Sequence, residues 1–189
     1  MGLIVLCGKT ASGKTFVRDK LVKMGYKSIV TYTTRPKRKN EREGITYHFV
    51  SDDVFKRMIS ANEFAEYKTY TVASGDVWYY GCTKTSISSI KEDEKAVIIL
   101  TPQGYKDVAE CLPEKTSVIY LYANRATISN RLKKRNDVND DIQRRINSDE
   151  IDFKGFQNES GVKIVYNNEN EDVNIILNKI INIQEKSND

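Results

Sequence analysis

The feature that most narrows what this chain can fold into stands near its start. An apolar run, Leu3 to Cys7, passes directly into Gly8-Lys9-Thr10-Ala11-Ser12-Gly13-Lys14-Thr15. The run reads as a short buried strand, and the pattern G-x-x-x-x-G-K-[ST] after it turns the backbone so that consecutive N–H groups point inward. Such a loop cradles phosphate oxygens. A helix expected from Lys14 to Met24, with Phe16, Val17, Leu21 and Val22 at apolar positions, adds the partial positive charge of its N-terminus. Lys14 can then reach β- and γ-phosphates, and the Thr15 hydroxyl can ligate Mg²⁺. Gly8, Ala11, Ser12 and Gly13 supply the rest of the cradle, so this stretch is read as a nucleotide-binding site. A plain glycine-rich turn is the alternative, and the strand before and helix after the loop argue against it.

The same alternation continues downstream. An apolar run at Ser28 to Tyr32 comes next, and those at Ala96 to Leu100, Ser117 to Tyr122 and Lys163 to Tyr166 are each followed by a helical pattern, the last being Val173, Ile176, Leu177, Ile180 and Ile183. Strands apolar throughout and separated by helices predict a parallel sheet covered on both faces, with ligands beyond the strand C-termini. The fold class is therefore α/β. From Thr46 to Thr83 the rhythm breaks into aromatic and β-branched residues with a Ser74-Gly75-Asp76 turn, which predicts a small antiparallel insertion. Lys133 to Asp141 offers almost nothing apolar to bury and is expected to be mobile, in the manner of a lid.

At 189 residues the chain suits one domain, and a net charge of +4 fits anionic small molecules better than nucleic acid. Cys7, Cys82 and Cys111 show neither zinc spacing nor a disulfide framework. With no apolar stretch long enough to span a bilayer, a cytoplasmic setting is expected and a membrane partner is not.

A second constellation would choose the acceptor: Thr31-Tyr32-Thr33-Thr34-Arg35-Pro36-Lys37-Arg38, Tyr47-His48-Phe49-Val50, Glu63-Phe64-Ala65-Glu66 and Tyr79-Tyr80-Gly81. Guanidinium forks and phenols make a sensible phosphate clamp. On residues alone, Arg35 to Arg42 also fits a solvated basic loop, Glu66 an exposed helix-end glutamate and Thr31 an ordinary strand residue. In this order the elements resemble T-T-R-x-P-R, Y-x-F-V-S, E-F-x-E and Y-Y-G of the guanylate kinase family, and the likeness runs from the phosphate loop to Ile164-Val165-Tyr166-Asn167.

The resemblance implies a P-loop nucleoside monophosphate kinase that moves the γ-phosphoryl group of ATP to GMP or dGMP with Mg²⁺. It implies a core of residues 1–31 and 84–189, an acceptor-binding insertion at 32–83 and a helical lid at about 125–150. The acceptor site would comprise Thr31, Arg35, Arg38, Tyr47, Glu66, Tyr80, Cys82 and Thr101, with Glu66 accepting from guanine N1–H and the 2-amino group. Arg131, Arg135 and Arg145 would close over the donor beside Lys14, and Asn167 would lie near adenine; a solvated basic face and a turn asparagine are the bland readings. His48 receives no chemistry. The chain departs from the family pattern where Cys82 replaces a serine, where extra residues around Thr71 to Val77 lengthen a hairpin, and where Ile99 and Thr101 replace the aspartates of L-D-x-D-x-Q-G. The last change would leave Thr15, phosphates and waters to hold the ion. Two rivals remain: a kinase of this scaffold acting on another nucleotide or a ribose phosphate, and a non-catalytic binding module of the same shape. The intact phosphate loop argues against the module. Nothing in the residues speaks to oligomeric state.

Overall fold

The computed structural model describes residues 2–39, 41–72, 74–134 and 139–186, without the side chains of 139–141. Its centre is a parallel sheet whose middle strand is β1 (Gly2–Cys7), buried along its whole length. β1 pairs on one side with β7 (Lys95–Ile99) and on the other with β8 (Thr116–Tyr122). β2 (Lys27–Ser28) and β9 (Val162–Tyr166) form the two edges, giving the order β2-β7-β1-β8-β9. Successive side chains of a strand point to opposite faces. Ile4, Leu6, Val97, Ile119 and Leu121 therefore pack under α1 (Lys14–Lys23) and α7 (Val173–Lys186), against Val17, Leu21, Ile176 and Ile180. Leu3, Val5, Ile98, Val118 and Tyr120 face the other way, onto Phe153 and Phe156.

The second sheet is built from β3 (Tyr32–Thr33), β4 (His48–Phe49), β5 (Phe64–Thr71) and β6 (Val77–Thr83), in the order β4-β3-β6-β5. It differs from the wholly antiparallel expectation, because β3 and β4 run parallel. The intervening chain from Thr34 to Tyr47 is long enough to return β4 in the direction of β3, and this connection carries the basic run. The run Ser28 to Tyr32 is likewise not one strand: β2 belongs to the main sheet and β3 to the second, with Ile29 buried between them. α2 (Asp52–Ser60) begins on Ser51, whose hydroxyl accepts from Val54 N, and its Phe55 stacks on Phe64 at 4.3 Å.

Two further helices, α5 (Arg125–Lys134) and α6 (Asn139–Asp152), pack on each other through Ile128, Leu132, Ile142 and Ile146. Most of the segment expected to be mobile, from residue 135 on, lies outside the described residues or their side chains, and so does Arg135. α3 (Lys84–Ser88) follows β6, and α4 (Pro102–Val108) follows β7. No helix among the described residues is long and apolar enough to cross a membrane.

Candidate active site

The glycine-rich loop leaves the C-terminal end of the central strand, where an open parallel sheet places its ligands. Gly13 sits at φ +99° as the N-cap of α1, a conformation that favours glycine, and a Cβ there would run into the Asn167 amide. The first turn of α1 carries no acidic residue, so its N-terminal charge stays available to an anion. Lys14 Nζ curls back over the loop, donating to the Gly8 carbonyl at 2.6 Å and the Lys9 carbonyl at 3.0 Å. Asn167 braces the loop from the end of β9: its Nδ2 donates to Ser12 O at 2.7 Å. Arg131 of α5 completes the brace, donating to Ala11 O at 3.1 Å and Asn167 O at 3.0 Å.

One cavity of about 870 Å³ joins this loop to the basic run and the second sheet. Gly8, Ala11, Gly13, Lys14, Thr15, Thr31, Arg35, Arg38, Tyr47, Glu66, Tyr80, Thr101, Arg131, Arg145 and Asn167 all line it. Ser12 and Cys82 stand apart. The Ser12 side chain is buried beneath the loop, and Cys82 lies wholly in the core with its thiol toward Thr83 O at 3.7 Å. Burial pushes that thiol up to about 12. What Cys82 offers the site is its backbone, which acts to lower the Glu66 pKa against the larger effect of burial.

At the acceptor end, Arg35 is 5% exposed and held by Glu41, whose Oε1 accepts from Nη2 at 2.6 Å while its Oε2 accepts from Arg38 N at 2.8 Å. The Arg35 guanidinium lies 5.7 Å from the Tyr47 ring centre, and Tyr47 meets Tyr80 edge to face at 6.0 Å. Burial raises the Tyr47 phenol above its ordinary pKa, which keeps it a neutral hydrogen-bond donor. Glu66 occupies the far wall, where burial first and the nearby Asp107 second raise its pKa to about 7. Gly104 of α4 makes room for it: a Cβ at that position would sit 2.9 Å from Glu66 Oε2. Thr101, where the family pattern has an aspartate, caps α4 by accepting from Gly104 N at 3.0 Å.

Glu41, Lys68, Tyr70, Trp78, Arg144, Asp149 and Asp152 also line the cavity, outside the motifs that mark the other site residues in the sequence. Glu41 was discoverable as the acid closing a basic run. Lys68 and Tyr70 follow Glu66 at strand alternation, and Arg145, Ser148, Asp149 and Asp152 follow the helical period, so both sets carried a weak signal.

The family model for guanylate kinase matches residues 1–184. The chain belongs to the guanylate kinase family. Membership makes it an ATP-dependent phosphotransferase acting on a nucleoside monophosphate. Among curated relatives, a guanylate kinase of Fusobacterium nucleatum is 31% identical over 172 residues, covering 88% of this chain and 88% of that one. One of Hydrogenovibrio crunogenus is 29% identical over 168 residues, or 87% of this chain and 80% of the relative. The crystal structure of guanylate kinase from Anaplasma phagocytophilum shares the fold at a TM-score of 0.68 and 22% identity, covering 98% of this chain and 85% of that one. A gluconokinase from Sinorhizobium meliloti shares it more loosely, at a TM-score of 0.53 and 15% identity, over 98% and 92% of the two chains.

Among the described residues no cluster of three His, Cys, Asp or Glu side chains is placed to hold a metal ion. Thr15 nevertheless lines the cavity beside Lys14. That donor set suits Mg²⁺, which keeps several waters and takes most of its other ligands from nucleotide phosphates.

Proposed function

We propose that this kinase transfers the γ-phosphoryl group of ATP to GMP or dGMP, giving ADP and GDP or dGDP. The observation that carries this reading is the single cavity in which the phosphate loop faces the Arg35, Arg38, Tyr47 and Tyr80 clamp, with Glu66 beyond it. A phosphate monoester has a second pKa of about 6, so the acceptor oxygen attacks already ionised and needs no general base. One bond forms, from the acceptor phosphate oxygen to the γ-phosphorus. One breaks, from that phosphorus to the bridging oxygen, which leaves on ADP with the electron pair. The loose transition state spreads charge over the transferred oxygens, so catalysis is positioning plus cations.

On this reading Lys14 exchanges the loop carbonyls for β- and γ-oxygens, while Arg35 and Arg38 hold the acceptor phosphate. The hydroxyls of Tyr47 and Tyr80 add hydrogen bonds to it. Arg145, with Arg135 from outside the described residues, closes over the donor. Arg131 and Asn167 hold the loop in shape at the adenine side. Mg²⁺, when bound through Thr15 and the nucleotide, supplies neutralisation of the β- and γ-phosphate charge. Ionised Glu66 accepts from guanine N1–H and the 2-amino group; adenine turns an acceptor toward it, and a buried carboxylate left unpaired costs about 1–3 kcal/mol. Thr31, Gly81 and the Thr101 hydroxyl complete the wall around the base. Free thiols at Cys7, Cys82 and Cys111 suit the reducing cytoplasm as the place of reaction.

One observation favours a second acceptor reading: Ile99 and Thr101 put no carboxylate at the end of β7. A coupled ADP-release assay over GMP, dGMP, AMP, UMP and ribose phosphates separates the two, with Lys14→Ala as control. The proposal expects GMP and dGMP to dominate and Lys14→Ala to abolish release. Turnover led by another acceptor would favour the second reading, and release preserved without Lys14 would contradict the donor site.

A further inference from the structure

Helix α6 touches both halves of the cleft at once. Toward the phosphate loop, Asp149 Oδ2 accepts from Thr10 N at 2.7 Å and Glu150 meets Lys9 Nζ at 3.0 Å. Toward the second sheet, Asp152 Oδ1 meets Lys68 Nζ at 2.6 Å, and Arg144 Nη1 donates to Thr71 O at 2.9 Å. Lys68 is not a remote anchor. It lies directly opposite Tyr80 in the antiparallel register of β5 and β6, hence on one face with it, and two residues along β5 from Glu66. Moving Lys68 therefore moves the strand that carries the base-reading carboxylate and the neighbour of the clamp phenol. Thr71 ends β5, so its carbonyl gives α6 a second foothold on the hairpin.

We propose that the Lys68–Asp152 pair, backed by Arg144 on the Thr71 carbonyl, is a positioning strut through which α6, seated on the phosphate loop, holds the acceptor hairpin at the separation that transfer needs. The strut rests on the kinase reading above. Its side chains are 31% and 18% exposed, enough shielding that removing one partner leaves the other charge poorly solvated. Phosphates seated in the loop bear on Thr10 and Lys9, to which Asp149 and Glu150 of α6 are tied, and α6 passes that constraint to the hairpin. Occupancy of one site is thus linked to geometry at the other, and linkage of this kind is reciprocal.

The test is titration calorimetry of GMP with and without a saturating non-hydrolysable ATP analogue and Mg²⁺, on the wild type, Lys68→Met, Lys68→Arg and Asp152→Asn. The ratio of the two GMP affinities is the coupling factor. Lys68→Met and Asp152→Asn should lower it roughly three- to tenfold while changing GMP affinity in the analogue-free protein less than about twofold. Lys68→Arg, which keeps the charge and reach, should retain it. A coupling factor unchanged in Asp152→Asn overturns the strut. So does tighter GMP binding by Asp152→Asn without the analogue, since that would make Lys68 a direct phosphate ligand restrained by Asp152. A wild type that binds no GMP at all would instead remove the kinase reading, and the strut with it.

Discussion

Glu66 makes the sharpest demand on the account, because its carboxyl must be ionised to read guanine while its surroundings favour the neutral acid. Burial, with Asp107 adding like charge, raises it to about 7. The competent fraction is then about one half at pH 7 and one in eleven at pH 6, so the KM for GMP should rise about tenfold between pH 8 and pH 6. The GMP phosphate titrates near pH 6 as well. Glu66→Gln separates the two effects, since it keeps the ligand's titration and loses the protein's. Steady-state KM from pH 5.5 to 8.5 on both proteins therefore measures the contribution of Glu66 as the difference between the profiles.

Stability should move the opposite way from function. A folded-state pKa above the ordinary 4.5 means that the native protein binds the proton more tightly than the unfolded chain. Stability is accordingly lost as pH rises from about 4.5 through about 7. Glu66→Gln should therefore stabilise the fold by up to about 3 kcal/mol at pH 8 and by little at pH 4. Urea midpoints at the two pH values check this. Parallel KM profiles for wild type and Glu66→Gln, or equal stability differences at both pH values, would mean that Glu66 does not change charge in this range.

Three further substitutions probe the shell around the site. Gly104→Ala places a methyl 2.9 Å from Glu66 Oε2; because that oxygen ends a flexible side chain, thermal stability should hold or rise, as helix propensity favours Ala, while KM for GMP increases severalfold. Glu41→Gln weakens the buried partner of Arg35, whose side chain is 5% exposed, and should cost about 2–3 kcal/mol in denaturant unfolding together with a higher KM for GMP. Thr101→Asp should leave stability nearly unchanged, because aspartate caps a helix as well as threonine, and should lower the Mg²⁺ concentration for half-maximal rate; an unaltered Mg²⁺ profile would place the ion away from the end of β7.

What the residues disclosed before any coordinates was what is written locally. The strand, loop and helix around Gly13 and Lys14 are contiguous, and the Arg35, Tyr47 and Tyr80 elements are short ordered motifs, so both were legible. The long-range pairings were not. Thr10 and Asp149 are 139 residues apart, and Lys68 and Asp152 are 84 apart; no local periodicity encodes which acid meets which amide across such distances. The parallel β3–β4 pairing escaped for a related reason, since two-residue strands carry too few side chains to announce their register. Cys82 shows the limit of a motif: its position beside Gly81 suggests a contact with the base, whereas its complete burial in the core cluster that includes Ile98 and Leu100 decides where the thiol goes.

Transfer between the two nucleotides requires donor and acceptor phosphates to occupy one continuous cleft. A bisubstrate ligand, adenosine and guanosine joined 5′ to 5′ through five phosphates, tests it most directly in inhibition kinetics against each substrate. Inhibition should be competitive with both ATP and GMP, at an affinity well above that for either mononucleotide alone. Competition with only one substrate would contradict it, because the two pockets would then not face each other across the cavity.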